Sequence, residues 1–349
     1  MRLLVVIVNY RTAGLVIDCL RSLDEERKLV RGLKVAVVDC HSEDDSVETL
    51  SQALAKNEWR QWVRLMALDR NAGFAGGNNA AMRAAMRAPN PPEYVMLLNP
   101  DTVVKPGAVR ALLDFMNTRA EAGLAGSRLE DGAGEVQVSA FRFPSLLSEV
   151  ESALRFGVAS RVLARWQVAP MPSNKPAPAD WLSGASLMIR SVVIEQIGFL
   201  DEGYFMYYED ADFCRAASDA GWACWYVPAS RVVHLVSRAS DIENAEKPRP
   251  AYWFESRRRY FIKNHGALYA RLCDAAWIAA FSLWRARRCV MRKPDTDPPH
   301  LLRDFIRASV FAKGTAIQEA CPDCAVAGEI EEDDLPANVV PFDPYGRKL

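Results

Sequence analysis

Asp201, Glu209, Asp210 and Asp212 are four of the five carboxylates in a single stretch running from Gly198 to Arg215. Phe199, Tyr204, Phe205, Tyr207 and Tyr208 are interleaved with them. Aromatic walls lower the local dielectric and raise carboxylate pKa values, which suits a general base. From Asp210 onward the spacing of Phe213, Ala217 and Ala220 is helical, and Gly221 is placed to end the helix. The acids therefore stand at a helix N-terminus, whose dipole opposes part of that elevation. An acidic first turn that only stabilises its helix would look the same, so the stretch alone leaves both readings open.

Other short polar groups have the chemistry to bind what such a base would act on. The segment Asn71 to Asn79 carries Gly73, Gly76 and Gly77, which allow close backbone approach, and its N–H groups at a helix start favour an anion. A tight strand-to-helix turn would have the same composition. Asn99-Pro-Asp101 holds one carboxylate beyond a strand end, oxygen chemistry suited to a hard divalent cation, and is equally an Asx-Pro turn. His234 follows an apolar strand, where a lone histidine is more often structural than a ligand.

The elements that must position these groups read as β-α repeated four times. Apolar runs at 3–8, 33–38, 63–68 and 94–98 are parallel strands buried on both faces, each followed by a helical pattern. Thr12 and Ser42 are placed to cap the first two helices. The repeat predicts an open, doubly wound, mostly parallel α/β sheet with ligands at the carboxyl ends of its strands. Asn9, Asp39, Asn71 to Asn79 and Asn99 to Asp101 all fall at such ends. After residue 120 the alternation breaks. A hairpin is expected at 129–136, an amphipathic helix at 145–166, and a strand at 180–189 interrupted by Gly184. Short strands follow at 222–227 and 232–234, then a basic-aromatic helix at 252–266.

The next helix, 267–293, sets Trp277, Ile278, Phe281 and Trp284 beside Arg285, Arg287, Arg288, Arg292 and Lys293. It reads equally as a membrane-surface helix or as one packed on the domain with a solvated basic side. From about residue 322 the acidic, proline-bearing tail has the composition of disorder.

With 43 basic and 44 acidic residues in 349, the formal charge of −1 argues against a dedicated nucleic-acid binder. No apolar run reaches the roughly 18–20 residues of a membrane span. The eight cysteines are scattered at apolar positions, as in a reduced cytoplasmic protein. Cys321-Pro-Asp-Cys324 has redox or half-zinc spacing without a second pair to complete a metal site.

Taken together, these motifs resemble those of the family 2 inverting glycosyltransferases of the GT-A fold, in particular the bacterial rhamnosyltransferase-like branch. Val6-Ile-Val-Asn-Tyr10 is similar to that family's first nucleotide-binding strand, and Val37-Val-Asp39 with Ser42 to Ser46 to its base-binding segment. Asn71 to Asn78 is similar to its Asn-x-Gly-Phe loop, and Asn99-Pro-Asp101 to its metal motif. Ser183-Gly-Ala-Ser186, the 198–215 stretch and His234 complete the series in order, over residues 3 to 265. Two positions depart from the pattern: Asn99 replaces an acid, and Cys40-His41 stands where relatives often carry Asn and a small polar residue.

The resemblance implies a nucleotide-diphosphate sugar lying across the strand ends. Asp39 would accept from the pyrimidine imide and Asn99 would lie near the ribose, with Asn9, Tyr10, Asn71, Gly73, Gly77 and Asn78 completing that site. Asp101 and His234 would hold Mg²⁺ or Mn²⁺. Asp210 would be the base, with Glu209 second choice, while Trp181, Ser183, Gly184 and Tyr208 would face the acceptor. Asp201 and Asp212 would orient the acceptor or the loop. The activity implied is inverting transfer of a sugar, L-rhamnose from dTDP-rhamnose as the leading choice, to a lipid-linked or polysaccharide acceptor at the cytoplasmic face of the membrane. A nucleotidyltransferase and a non-catalytic nucleotide-sugar-binding scaffold are the competing classes, and a homo-oligomer is compatible with all three. The expected organisation is a nucleotide-binding half at 1–120, a catalytic half at 121–265, a helical extension at 266–320 and the tail at 321–349.

Overall fold

The computed structural model describes residues 2–235 and 246–310. Cys321, Cys324 and the acidic tail lie outside the described residues. The four expected repeats are present as β1 (Leu3–Asn9), α1 (Ala13–Leu29), β2 (Leu33–Asp39), α2 (Ser46–Lys56), β3 (Val63–Ala67), α3 (Gly73–Met86) and β4 (Tyr94–Leu98). They continue into β5 (Thr102–Val104), α4 (Ala108–Thr118) and β6 (Ala122–Glu130). There follow β7 (Val136–Gln137), β8 (Ala140–Phe141), α5 (Leu146–Leu154), α6 (Gly157–Val162), β9 (Ala177–Ala179) and β10 (Trp181–Leu182). The remainder is β11 (Ser186–Arg190), α7 (Ser191–Ile197), α8 (Glu209–Asp219), β12 (Ala223–His234), α9 (Ala251–His265), α10 (Ala267–Val290) and α11 (Leu301–Val310).

The main sheet runs β3-β2-β1-β4-β11-β6-β12-β5, with β7 on β6 and β9 on β12. The first four strands in that order are mutually parallel. β11 is antiparallel to both β4 and β6, and β12 runs parallel to β6. The strand alternation sorts the core into two layers. Leu3, Val5 and Ile7 pack with α1, α2 and α4 on one face, and Leu4 and Val6 with α3, α7 and α8 on the other. The expected α/β architecture is thus the observed one, with one reversed strand inside it.

Several local expectations need correction. Thr12 occupies the first N-cap as expected, though its side chain donates to Asn9 rather than capping the helix; Ser42 caps none, its side chain bonding Asp39, and Asp45 occupies the second N-cap. The 145–166 helix breaks at Arg155, which takes a left-handed φ of 44°, ahead of an extended Phe156 and Gly157. Gly is about 1 kcal/mol worse than Ala within a helix, which favours the break there. The 180–189 strand is two strands separated by a turn at Ser183 to Ala185. Residues 223–234 are one strand carried past Pro228 by a register shift between Val227 and Arg231, the kind of irregularity that accommodates a residue without an N–H.

A second, helical layer is formed by α5, α9, α10 and α11. The aromatic face of α10 points into it: Trp277 and Phe281 are buried, and Trp277 stacks on Phe305 with centroids 4.0 Å apart. Burying each large side chain away from water stabilises by roughly 2 kcal/mol, and here α11 supplies that burial, so these rings are not available to a lipid surface. The packed reading therefore holds for this face. Five of the six cysteines among the described residues are buried, Cys289 is exposed, and none of them forms a disulfide.

Candidate active site

The ends of β1 and β2 are in register at Asn9 and Asp39. Asp39 Oδ2 accepts from Asn9 Nδ2 at 2.6 Å and from Ser42 Oγ at 2.6 Å, and its Oδ1 accepts from Ser42 N at 3.0 Å. Asn9 Oδ1 accepts in turn from Thr12. Both residues are buried, so the pair forms a floor tying two loops together, beside an exposed Tyr10.

At the other side of the sheet β5 pairs with β12, placing Thr102 opposite His234. His234 Nε2 lies 3.4 Å from Asp101 Oδ1 and 3.3 Å from Asn99 Nδ2. Asp101 is buried, and its Oδ1 has no hydrogen-bond partner. A buried carboxylate oxygen left without a donor is costly unless something else meets it. One oxygen and one imidazole nitrogen converging this way suit a divalent cation that takes its other ligands from diphosphate and water. Among the described residues no third acid, histidine or cysteine joins them.

The glycine segment is turned toward the acidic stretch. Phe74 N donates to Phe205 O at 2.9 Å, and a Cβ on Gly73 would stand 2.2 Å from that same oxygen. Gly77 lets α3 settle on β1, since a Cβ there would meet Cys40 Sγ at 2.8 Å and Val8 Cγ1 at 2.9 Å. Asn71 Oδ1 caps Gly73 N, and Asn78 Nδ2 bonds back to Phe74 O while its Oδ1 is buried without a partner. Asn79 holds the acidic stretch directly: Nδ2 donates to Leu200 O and Glu202 Oε1, and Oδ1 accepts from Leu200 N.

The four carboxylates then divide sharply. Asp201 is gripped by Arg259 and Lys263, with Arg259 Nη2 to Oδ1 at 2.8 Å and Lys263 Nζ to Oδ2 at 2.8 Å. Asp212 accepts from Lys263 Nζ at 2.5 Å, Asn264 Nδ2 at 2.9 Å and Tyr204 OH at 3.2 Å. These two acids fasten the stretch to α9. Gly203 permits it, because a Cβ there would run into the Arg259 guanidinium. Glu209 and Asp210 have no ion pair among the described residues. Tyr208 precedes them at the N-cap with φ 69°, its carbonyl accepting from Asp212 N.

Glu209 is buried, its Oε2 is unpartnered, and its pKa is pushed well above the usual carboxylate range by burial and then by the Asp210 charge. Asp210 is partly accessible and accepts from Gly184 N at 3.1 Å and Ala211 N at 2.8 Å. Burial raises it to about 6, against the pull of those N–H groups. A carboxylate so poised is ionised at neutral pH yet basic enough to take a proton.

One backbone path joins the last two sites. Leu98 pairs with Ser186, Asn99 N donates to Ala185 O at 3.1 Å, and the adjoining Gly184 N donates to Asp210. The turn at 183–185 thereby fixes Asp210 with respect to Asn99, Asp101 and His234. Ser183 makes that turn, its Oγ accepting from Ala185 N and its own N–H donating to Ser139 O. Trp181 stacks on Phe141 with centroids 4.1 Å apart, its Nε1 bonded to Arg142 O. Sequence reasoning missed Asn79, Arg259, Lys263 and Asn264 as partners of the acidic stretch. The cations of α9 were visible as a basic helix, but nothing in their spacing named the acids they would meet.

A family model described as "Glycosyltransferase like family 2" matches residues 2–260. The chain is 32% identical over 243 residues to the N-acetylglucosaminyl-diphospho-decaprenol L-rhamnosyltransferase of Mycobacterium tuberculosis, covering 64% of this chain and 72% of that protein. It is 25% identical over 164 residues to the rhamnosyltransferase WbbL of Escherichia coli, covering 46% of this chain and 60% of the relative. The fold is similar to that of the mannosyltransferase PcManGT from Pyrobaculum calidifontis, solved with GDP-Man and Mn²⁺. The TM-score is 0.53 at 14% identity, over 90% of this chain and 88% of that one. With the family model spanning most of the chain, the protein belongs to glycosyltransferase family 2 and is a glycosyltransferase of the rhamnosyltransferase-like kind.

Proposed function

We propose that the protein moves a sugar, L-rhamnose from dTDP-rhamnose, from a nucleotide diphosphate to a hydroxyl of a lipid-linked or polysaccharide acceptor, with inversion at the anomeric carbon. The observation that carries this reading is Asp210: a carboxylate raised by burial, free of any cation, and tied by backbone to the Asn99-Asp101-His234 corner. The curated relatives are rhamnosyltransferases, and one is named for a decaprenol-linked acceptor, which supports the choice of donor and acceptor.

In this reading the nucleotide lies over the Asn9–Asp39 floor, beside Tyr10 and the segment holding Asn71, Gly73, Gly77 and Asn78. Asn99 is set near the ribose. Asp101 Oδ1 and His234 Nε2 would hold Mg²⁺ or Mn²⁺, which when bound supplies positive charge opposite the departing diphosphate. Asp210 takes the acceptor hydroxyl proton as that oxygen attacks from the face opposite the leaving group. Glu209, pushed upward by burial and by the Asp210 charge, is the harder of the pair to ionise, which leaves the base role to Asp210. Asp201 and Asp212 hold the loop through α9, and Trp181, Ser183, Gly184 and Tyr208 border the acceptor side. The acceptor would be met at the cytoplasmic face of a membrane.

The test is transfer and metal-dependent nucleotide release across dTDP-, UDP- and GDP-sugars, alongside thermal shift with each. The reading expects dTDP-rhamnose to give both the largest shift and product. Tight nucleotide binding without release from any donor would favour a non-catalytic scaffold instead.

A further inference from the structure

The outward side of α10 is apolar along its whole length. Leu268, Leu272, Leu283 and Val290 are 73%, 50%, 61% and 84% exposed, with exposed Ala275 and Ala279 between them. At about 100° per residue these positions fall within an arc of about 80°, a stripe about 33 Å long. It is the side opposite Trp277 and Phe281. The stripe is continued by the exposed Phe156, Val158 and Val162 at the start of α6 and along it, because Phe156 lies under the Arg287 guanidinium at 4.6 Å.

Cations rim this surface. Arg271 and Arg287 flank the stripe on opposite sides, and Arg292 and Lys293 follow its end. Arg161 stands on α6. The side chains of Arg161, Arg271, Arg292 and Lys293 have no ion pair among the described residues. The only acid of α10, Asp274, is buried against Arg257. No helix among the described residues is long and apolar enough to cross a membrane.

We propose that this face docks flat on a bilayer bearing anionic headgroups, with the leucines and valines in the acyl boundary and the arginines at the phosphates. An apolar stripe with basic flanks and no exposed acid is the pattern of an interfacial helix. A second copy fits less well, since a two-fold contact along the stripe would set the same cations against each other. That the bilayer carries the acceptor rests on the lipid-linked substrate proposed above; the docking face itself rests on α10 and α6.

The experiment is co-sedimentation of the full chain with vesicles of phosphatidylcholine alone and of phosphatidylcholine and phosphatidylglycerol in equal parts, at low and high salt. Binding is expected to the mixed vesicles only, weakened by salt. Leu272→Glu/Leu283→Glu/Val290→Glu, at exposed positions that leave the fold intact by circular dichroism, should abolish it. Arg271→Gln, Arg292→Gln and Lys293→Gln should each weaken it about fivefold. Failure of the full chain to bind either vesicle overturns the proposal. So does a dimer in solution that the glutamate variant converts to monomer while vesicle binding is absent. No donor or acceptor is needed, so a wrong choice of substrate leaves this result untouched.

Discussion

Two pairs of acids in the molecule are treated in opposite ways. In the helical layer Glu149 and Asp274 share the buried Arg257, which donates to Glu149 Oε2 at 2.7 Å and to Asp274 Oδ1 at 2.5 Å. At the start of α8, the buried Glu209 and the partly accessible Asp210 stand side by side with no ion pair among the described residues. Desolvation raises Glu149 as well, but there the Arg257 charge opposes it, whereas Asp210 is opposed only by backbone N–H groups. A charge whose purpose is to hold helices together is given its counter-ion. On the role proposed for Asp210, a charge that must change protonation during turnover is denied one, and the fold bears the destabilisation.

The widest gap should open at Asp210. Asp210→Asn is expected to lower kcat about a thousandfold, within the range for a lost general base, while donor affinity stays within a few-fold. Transfer kinetics and donor binding by calorimetry check both halves, and near-normal turnover would move the base elsewhere. Arg257→Met should do the reverse, costing about 3–5 kcal/mol of stability by leaving Glu149 buried without a counter-ion and Asp274 with Arg258 alone, yet sparing turnover per folded molecule. Denaturant unfolding paired with active-site titration would show it. Lys263→Met, which frees Asp201 and Asp212 from their shared partner, should cost about 1.5 kcal/mol and lower kcat a few-fold through a looser loop.

The smallest effect concerns pH. Asp210 is raised from 3.8 to about 6. Between those values the folded protein keeps a proton that the unfolded chain has shed, so stability falls as pH rises through that window. Activity should climb across the upper part of it, with an acidic limb near 6. Because burial and the Asp210 charge both push Glu209 upward, Glu209→Gln should move that limb by no more than about half a unit. A larger displacement in the pH profile of kcat/KM would mean that the two acids share the titrating proton more evenly.

The parallel strands of the first hundred residues were legible because each is a short apolar run followed by Asn or Asp. The reversed strand β11 was harder to place. Its residues read correctly as extended, but the turn at Ser183 to Ala185 that splits it depends on bonds to Ser139 and Asp210, distant in sequence. Local pattern also identified the acidic stretch without dividing it. Which carboxylates are fastened and which are left bare depends on α9, some fifty residues further along. Periodicity found the amphipathic α10 and left its inner and outer sides undecided, since Trp277 and Leu272 are both apolar and only the position of Phe305 tells inside from outside.

The path from Asn99 through Ala185 and Gly184 to Asp210 consists of main-chain hydrogen bonds, apart from the final carboxylate. Spacing set by peptide groups is indifferent to side-chain identity along the way. This gives the enzyme an adaptable mounting: residues lining the donor and acceptor sides can drift or be engineered while the distance between the two reacting corners is conserved. Such drift is in keeping with an amide, Asn99, at the position where an acid is the more usual occupant. For anyone seeking to redirect the sugar or the acceptor, the length of the 183–185 turn is the feature to keep, because a single inserted or deleted residue would carry Gly184 away from Asp210.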